Sequence, residues 1–159
     1  MQIVYIDHNI ITAFFLQNHP FHKQAVGDIA LFLKFKDHYV CSISAVFESI
    51  KELVSSLAKI KESNLLPPQY EIEKQVISQV NSLLKKLNIK ILYVNNQQIF
   101  SHALSLQLEF NIHFDIAFYT ALLQEQKIKI IATYDERYNK LFSEGVLTKY
   151  QPKSMPERK

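Results

Sequence analysis

Glycine is nearly missing from this chain. Gly27 and Gly145 are the two examples in 159 residues, whereas a P-loop and a GxGxxG dinucleotide turn each need several to let backbone approach phosphate. Both are excluded. Cysteine is scarcer still: Cys41 stands alone, so the chain holds neither a disulfide framework nor a thiolate zinc site. Long apolar runs are lacking as well. A stretch such as Ile10 to Leu16, interrupted by Thr12, is far too short to span a bilayer. The opening Met-Gln-Ile-Val-Tyr-Ile-Asp has no basic segment and meets a charge at Asp7, so it does not read as a signal peptide. The expectation is a reduced cytoplasmic protein with no membrane partner.

What is present suits one compact domain. Hydrophobic residues make up 48% of the chain, enough for a substantial core at this length. A net charge of +3 and a pI near 8.9 are compatible with a nucleic-acid partner without requiring one. Strand-like runs cover Gln2–Ile6, Tyr39–Ser42, Lys90–Val94 and Lys129–Thr133, with a weaker one at Val146–Tyr150. Helical spacing lies between them. Val46, Phe47, Ile50, Leu53, Val54, Leu57 and Ile60 recur on one face of Ser44–Ile60, with Glu48 and Glu52 on another. Leu66-Pro67-Pro68 breaks the chain, and a second amphipathic helix follows to Leu87. Asn95 or Asn96 is placed to cap a helix reaching about Glu109. Asp115–Gln126 and Glu136–Ser143 complete the set.

Strands separated by helices predict parallel βαβ units. The fold expected is three-layer α/β/α with a mostly parallel sheet of four to five strands. Gln2–Ile6 should be central in it and buried from Ile3 onward. Residues 1–150 read as one domain with a helical extension at about 61–88, and 151–159 as a loose tail containing two prolines.

Four carboxylates fall where such a sheet gathers them. Asp7 ends the first strand, Glu48 lies in the first turns of a helix, Asp115 opens another, and Asp135 follows the last clear strand. Strand ends and helix starts share the edge at which open α/β folds bind ligands. Carboxylates converging there repel one another unless a cation sits between them, and oxygen-only ligation suits Mg²⁺ or Mn²⁺. That pattern points to a metal-dependent hydrolase. Each residue also has a plainer reading. Asp7 and Asp135 can cap helices, Glu48 can lie on a solvated face, and Asp115 can answer a helix dipole. Asn9 can orient the Asp7 carboxylate or cap a helix beginning at Ile10. Ala117 and Ala121, one turn apart, would let their helix sit close to the sheet.

Taken in order, Asp7-x-Asn9, Ser44-x-x-x-Glu48, Asp115-x-x-x-x-x-Ala121 and Thr133-x-Asp135-x-x-Tyr138 resemble the PIN-domain ribonucleases. The first block is similar to their Asp-Thr-Asn, the second to a Glu opening the next helix. The third is similar to their Asp-Ala-x-Ile-Ala-Ala helix, and the fourth to their Thr-x-Asp-x-x-Phe. The blocks span Ile3 to about Leu141. His8 departs from the usual small hydroxyl residue, Tyr138 stands where Phe is common, and the 61–88 insertion exceeds the smallest members.

The resemblance implies an acidic site of Asp7, Glu48, Asp115 and Asp135, supported by Asn9 and Thr133. It implies one or two Mg²⁺ or Mn²⁺ ions, a water attacking an RNA phosphodiester, and products with a 5′-phosphate and a 3′-hydroxyl. It also implies a homodimer, and the toxin role of a toxin–antitoxin pair with an antitoxin protein as partner. RNA processing or defence are other roles of the family. The rival is a non-catalytic PIN-like or flavodoxin-like module that binds RNA or protein. His19-x-x-His22 has metal-site spacing but no third partner. Phe14, Phe15, Phe32, Phe35, Phe47, Phe100, Phe118 and Phe142 read mostly as core, and no base-stacking motif is visible.

Overall fold

The structure is a computed structural model that describes residues 2–35, 37–59, 68–94 and 97–151. Among these residues, five strands form a single sheet: β1 (Ile3–Ile6), β2 (His38–Ser42), β3 (Lys90–Leu92), β4 (Ile130–Ala132) and β5 (Thr148–Lys149). Their order is β3-β2-β1-β4-β5, and every pairing is parallel. Apolar runs such as Val4-Tyr5-Ile6 sit centrally because a parallel sheet is covered on both faces. Those three side chains are fully buried.

Among the described residues, seven helices make the outer layers: α1 (His8–Phe15), α2 (His22–Lys34), α3 (Ile43–Lys59), α4 (Gln69–Lys86), α5 (Gln97–Phe110), α6 (Phe114–Glu125) and α7 (Asn139–Ser143). A 3₁₀ turn at Glu136–Tyr138 precedes α7. Right-handed crossovers place α1 to α4 on one face and α5 and α6 on the other. The contacts agree: α1 touches α2 and α3, α3 touches α4, and α5 lies along α6. Helix ends use left-handed residues, Asn88, Asn111 and Lys127, with Gly145 after α7. In a chain with two glycines, asparagine takes that role because its short polar side chain tolerates positive φ.

Several expectations need correction. Ile3 is 45% exposed, not buried, because it pairs with His38 at the solvent-facing entrance of both strands. Helix α2 had no counterpart in the sequence reading, although Ala25, Ile29 and Phe32 bury one face of it. Ala117 and Ala121 do not face the sheet. They cluster with Ile99, Ala103 and Leu106 of α5, where facing small residues let the two helices approach. Tyr119 and Leu123 turn to the central core instead. Phe47 and Phe100 are exposed and not core. The helix expected from Glu136 begins as a 3₁₀ turn and becomes α-helical at Asn139. Asn95, Asn96, Ile60, Leu66, Pro67 and the tail beyond Gln151 lie outside the described residues.

The position of β1 sets up a direct test. Removing Ile6 side-chain atoms from the centre of the sheet should cost about 2–5 kcal/mol in Ile6→Ala. Ile3→Ala, at the open end of the same strand, should cost less than about 1 kcal/mol. Urea unfolding of both variants checks the difference, and equal losses would contradict this sheet arrangement.

Candidate functional site

The sheet reverses its winding between β1 and β4, and ligand crevices of open α/β folds lie at such a switch point, beyond the carboxyl ends of the strands. Asp7 occupies that point. Its backbone N–H donates to the Ala132 carbonyl at 3.1 Å, tying β1 to β4. The side chain is 1% exposed and also caps α1.

Four donors hold its two oxygens. Oδ1 accepts from the His8 backbone N–H at 2.8 Å and meets His8 Nδ1 at 2.9 Å. Oδ2 accepts from Asn9 Nδ2 at 2.9 Å and from the Thr133 hydroxyl at 2.7 Å. Asn9 thus orients the carboxylate and does not cap a helix. Its Nδ2 also donates to Thr133 Oγ1 at 2.9 Å, and its Oδ1 accepts from the Tyr134 backbone N–H at 3.1 Å. Thr133 Oγ1 accepts in turn from the Asp135 backbone N–H at 3.0 Å. One closed network therefore joins the ends of β1 and β4.

His8 carries charge to the next acid. Its Nδ1 lies 3.4 Å from Glu48 Oε2. Burial pulls the imidazole down, but the hydrogen bond and charge of Asp7, with Glu48 and Glu52 nearby, hold its pKa up to about 9. At neutral pH His8 is therefore a cation between Asp7 and Glu48. Histidine at this position thus neutralises the first acidic pair.

Arg137 neutralises the second. Its Nη1 lies 2.9 Å from Asp115 Oδ2, and its Nε reaches the two oxygens of Asp135 at 3.0 and 2.9 Å. A further contact runs from Nη2 to Asp135 Oδ2, while the Arg137 backbone N–H donates to Asp135 Oδ1 at 2.9 Å. Burial pushes the Asp135 carboxyl up, yet these bonds and the Arg137 charge outweigh it and hold the pKa below the usual range. Sequence reading missed Arg137. Two places after Asp135 it resembles any surface arginine, and the 3₁₀ turn folds it back over the acid.

The predicted four-carboxylate cluster is thus two acidic pairs, Asp7 with Glu48 and Asp115 with Asp135, each bridged by a protein cation. Glu48 and Asp115 are about half exposed, with side chains 47% and 48% accessible, so both can respond to a ligand. Among the described residues no three His, Cys, Asp or Glu side chains are arranged to hold a metal ion. The donor set still fits a hard divalent cation: it is all oxygen, and guanidinium and imidazolium stand in for positive charge between its members. Beneath it lies Tyr138, whose buried hydroxyl has no hydrogen-bond partner among the described residues. Leaving a buried polar group unpaired costs about 1–3 kcal/mol. His19 and His22 do not form a metal pair. His19 Nδ1 accepts from the Phe21 backbone N–H at 3.2 Å, and His22 Nδ1 meets the Ala13 carbonyl at 2.9 Å.

This network revises what charge removal does to stability. Repulsion among four acids would leave Asp7→Asn neutral or more stable. With four donors around Asp7, an amide NH₂ must face at least one of them. Asp7→Asn should therefore destabilise the metal-free protein by about 1–3 kcal/mol, whereas Asp115→Asn, half exposed, should change it by less than about 1 kcal/mol. Thermal melting in chelator measures both. A more stable Asp7→Asn protein would contradict the donor count.

No family profile matches the sequence, and no curated protein matches it significantly. Solved structures do match. One is VapC20 of Mycobacterium tuberculosis, a Sarcin-Ricin loop cleaving toxin, which superposes with a TM-score of 0.58 at 11% identity over 86% of this chain and 92% of that one. Likeness at that identity speaks to architecture. The chain has the three-layer α/β/α fold of a PIN-like domain, with an all-parallel five-stranded sheet.

Proposed function

We propose that this protein is an endoribonuclease that uses Mg²⁺ or Mn²⁺ at the edge formed by Asp7, Glu48, Asp115 and Asp135, with Asn9 and Thr133 as supports. One observation carries the reading. Asp7 is sealed at the β1/β4 switch point with both oxygens oriented, beside a pair of acids that the chain must neutralise with its own arginine. A residue needed for capping alone does not require the Asn9–Thr133 support. Fold likeness to a toxin that cleaves the sarcin–ricin loop favours RNA as substrate and a toxin role with an antitoxin protein as partner.

Asp115 and Asp135 would hold the cation with Asp7 and Glu48 completing the site, Asp7 by exchanging the His8 Nδ1 bond at its Oδ1 for the ion. When bound, the ion would lower the pKa of a water and offset the charge of the phosphodiester. The chain's own groups do the rest. Asn9 and Thr133 fix the Asp7 carboxylate in one orientation, which removes a reorganisation cost during reaction. His8 stays protonated and limits repulsion between Asp7 and Glu48. Arg137 offers a planar fork that suits phosphate as well as carboxylate, so it can exchange one for the other as substrate enters.

A non-catalytic binding module is the second reading, favoured by the caps that Asp7 and Asp135 provide. Self-association is part of the proposal as well. Exposed Phe47 and Leu57 on α3 and Tyr70 and Ile77 on α4 are the surfaces expected to take part in a homodimer, and sedimentation at tens of micromolar would reveal it. No helix among the described residues is long and apolar enough to cross a membrane; a cytoplasmic location is part of the proposal.

The decisive assay incubates purified protein with labelled RNA and single-stranded DNA in Mg²⁺, Mn²⁺ or chelator. Cleavage of RNA should require the metal and vanish in Asp7→Asn and Asp115→Asn. Arg137→Gln removes the competing cation, so Mn²⁺ should raise its melting temperature by more than it raises that of wild type. If wild type cleaves nothing and shows no metal-induced shift, the binding-module reading replaces this one.

A further inference from the structure

Tyr138 is the final residue of the 3₁₀ turn that Asp135 caps, and it is 1% exposed. Its ring stacks on Phe142 with centroids 6.2 Å apart and planes 24° apart, which anchors it in the core. The other buried tyrosines spend their hydroxyls on protein. Tyr5 bonds Ser42 at 2.9 Å, Tyr39 donates to the Phe35 carbonyl at 3.4 Å, and Tyr134 donates to Asp28 at 2.7 Å. Tyr119 interacts with Ser44 and Glu48. Among the described residues, Tyr138 is the buried tyrosine whose hydroxyl has no partner.

Its backbone N–H donates to the Asp135 carbonyl at 3.3 Å, which holds the residue beside the acidic edge. After burial, the charges of Asp7, Asp135 and Asp115 are among the influences that push this phenol upward. A phenol hydroxyl buried beside this edge is available as a donor. Buried polar groups without partners are rare and call for an explanation. A core position that needed only bulk could be filled by phenylalanine.

We propose that the Tyr138 hydroxyl is a positioning donor of the acidic site, which hydrogen-bonds an oxygen bound among Asp7, Asp115 and Asp135. That oxygen belongs either to a water brought in with the divalent cation or to the substrate phosphodiester. The donor chemistry is the same in both cases. The inference rests on the nuclease reading of this edge and adds to it a residue that departs from the family pattern. Groups just outside a metal's direct ligands typically change affinity or activity about 10- to 100-fold when removed.

Tyr138→Phe is a clean test, because it keeps the ring and its stacking and deletes only the hydroxyl. Melting in chelator should be unchanged or higher than wild type, since no bond within the protein is lost. Two binding arms separate the sources of the oxygen. Mn²⁺ titration without RNA should weaken about 10- to 100-fold if the hydroxyl works through water. Binding of a short labelled oligoribonucleotide in chelator should weaken instead if it works through phosphate. Either loss supports the proposal. Wild-type affinity in both arms, or a lower melting temperature, overturns it and makes the hydroxyl structural or idle. Cleavage by wild type is read separately. If wild type binds but does not cleave, the nuclease reading fails while the comparison still decides the role of Tyr138. If it binds neither probe, both fall.

Discussion

The carboxylate of Asp7 is the constraint around which the rest of this molecule is arranged. It sits at the one place where the sheet reverses direction, and its main chain ties the central strand to β4. Four donors from three residues close over its oxygens. A buried, charged carboxylate is costly unless its hydrogen bonds are complete. Completing them requires Asn9, the second residue of α1, and Thr133 just past β4, so two segments far apart in sequence are locked by a single side chain. That lock also fixes where Asp135 and Tyr134 begin, because their backbone N–H groups are held by Thr133 and Asn9.

Acidic edges need positive charge, and this chain supplies it internally. His8 lies between Asp7 and Glu48, and Arg137 between Asp115 and Asp135. The two cations differ in consequence. His8 is 23% exposed and attached to a buried partner, so it is part of the scaffold. Arg137 and Asp115 are both close to half exposed, in water where an ion pair is worth little. The Arg137–Asp115 contact can therefore open at small cost, while Arg137 stays bonded to the mostly buried Asp135. Rigid support on one side and an exposed counter-ion contact on the other suit an acidic edge that must stay folded without a ligand and still admit one.

Much of the fold was legible because the signals are local. Apolar runs flanked by turns mark strands that are covered on both faces, and the stripe of Ile72, Val76, Val80 and Leu84 marks α4 through helical spacing alone. The position of the acids followed from topology, since residues just past parallel strands share an edge. Burial at strand entrances was not legible. Ile3 and Ile6 are the same residue type in the same strand, and only the reach of the flanking layers separates them. Helix α2 escaped notice because its buried positions, Ala25, Ile29 and Phe32, include a small residue and surround a glycine.

By itself the sequence determined the α/β class, the central first strand and the absence of glycine-rich phosphate loops, and it put forward four acids and two polar neighbours as candidates. Those follow from composition, period and order, which are properties of neighbouring residues. Tertiary structure alone decided the partners. Nothing in the order of residues says that Ala117 faces α5, that His8 bridges to Glu48 forty positions away, or that Arg137 folds back over Asp115. Nor could spacing reveal that the hydroxyl of Tyr138 lacks a bond that every other buried tyrosine among the described residues makes. Charge and hydrogen bonding act through space. Which groups they join depends on how the layers close around β1, and that closure is a property of the whole chain.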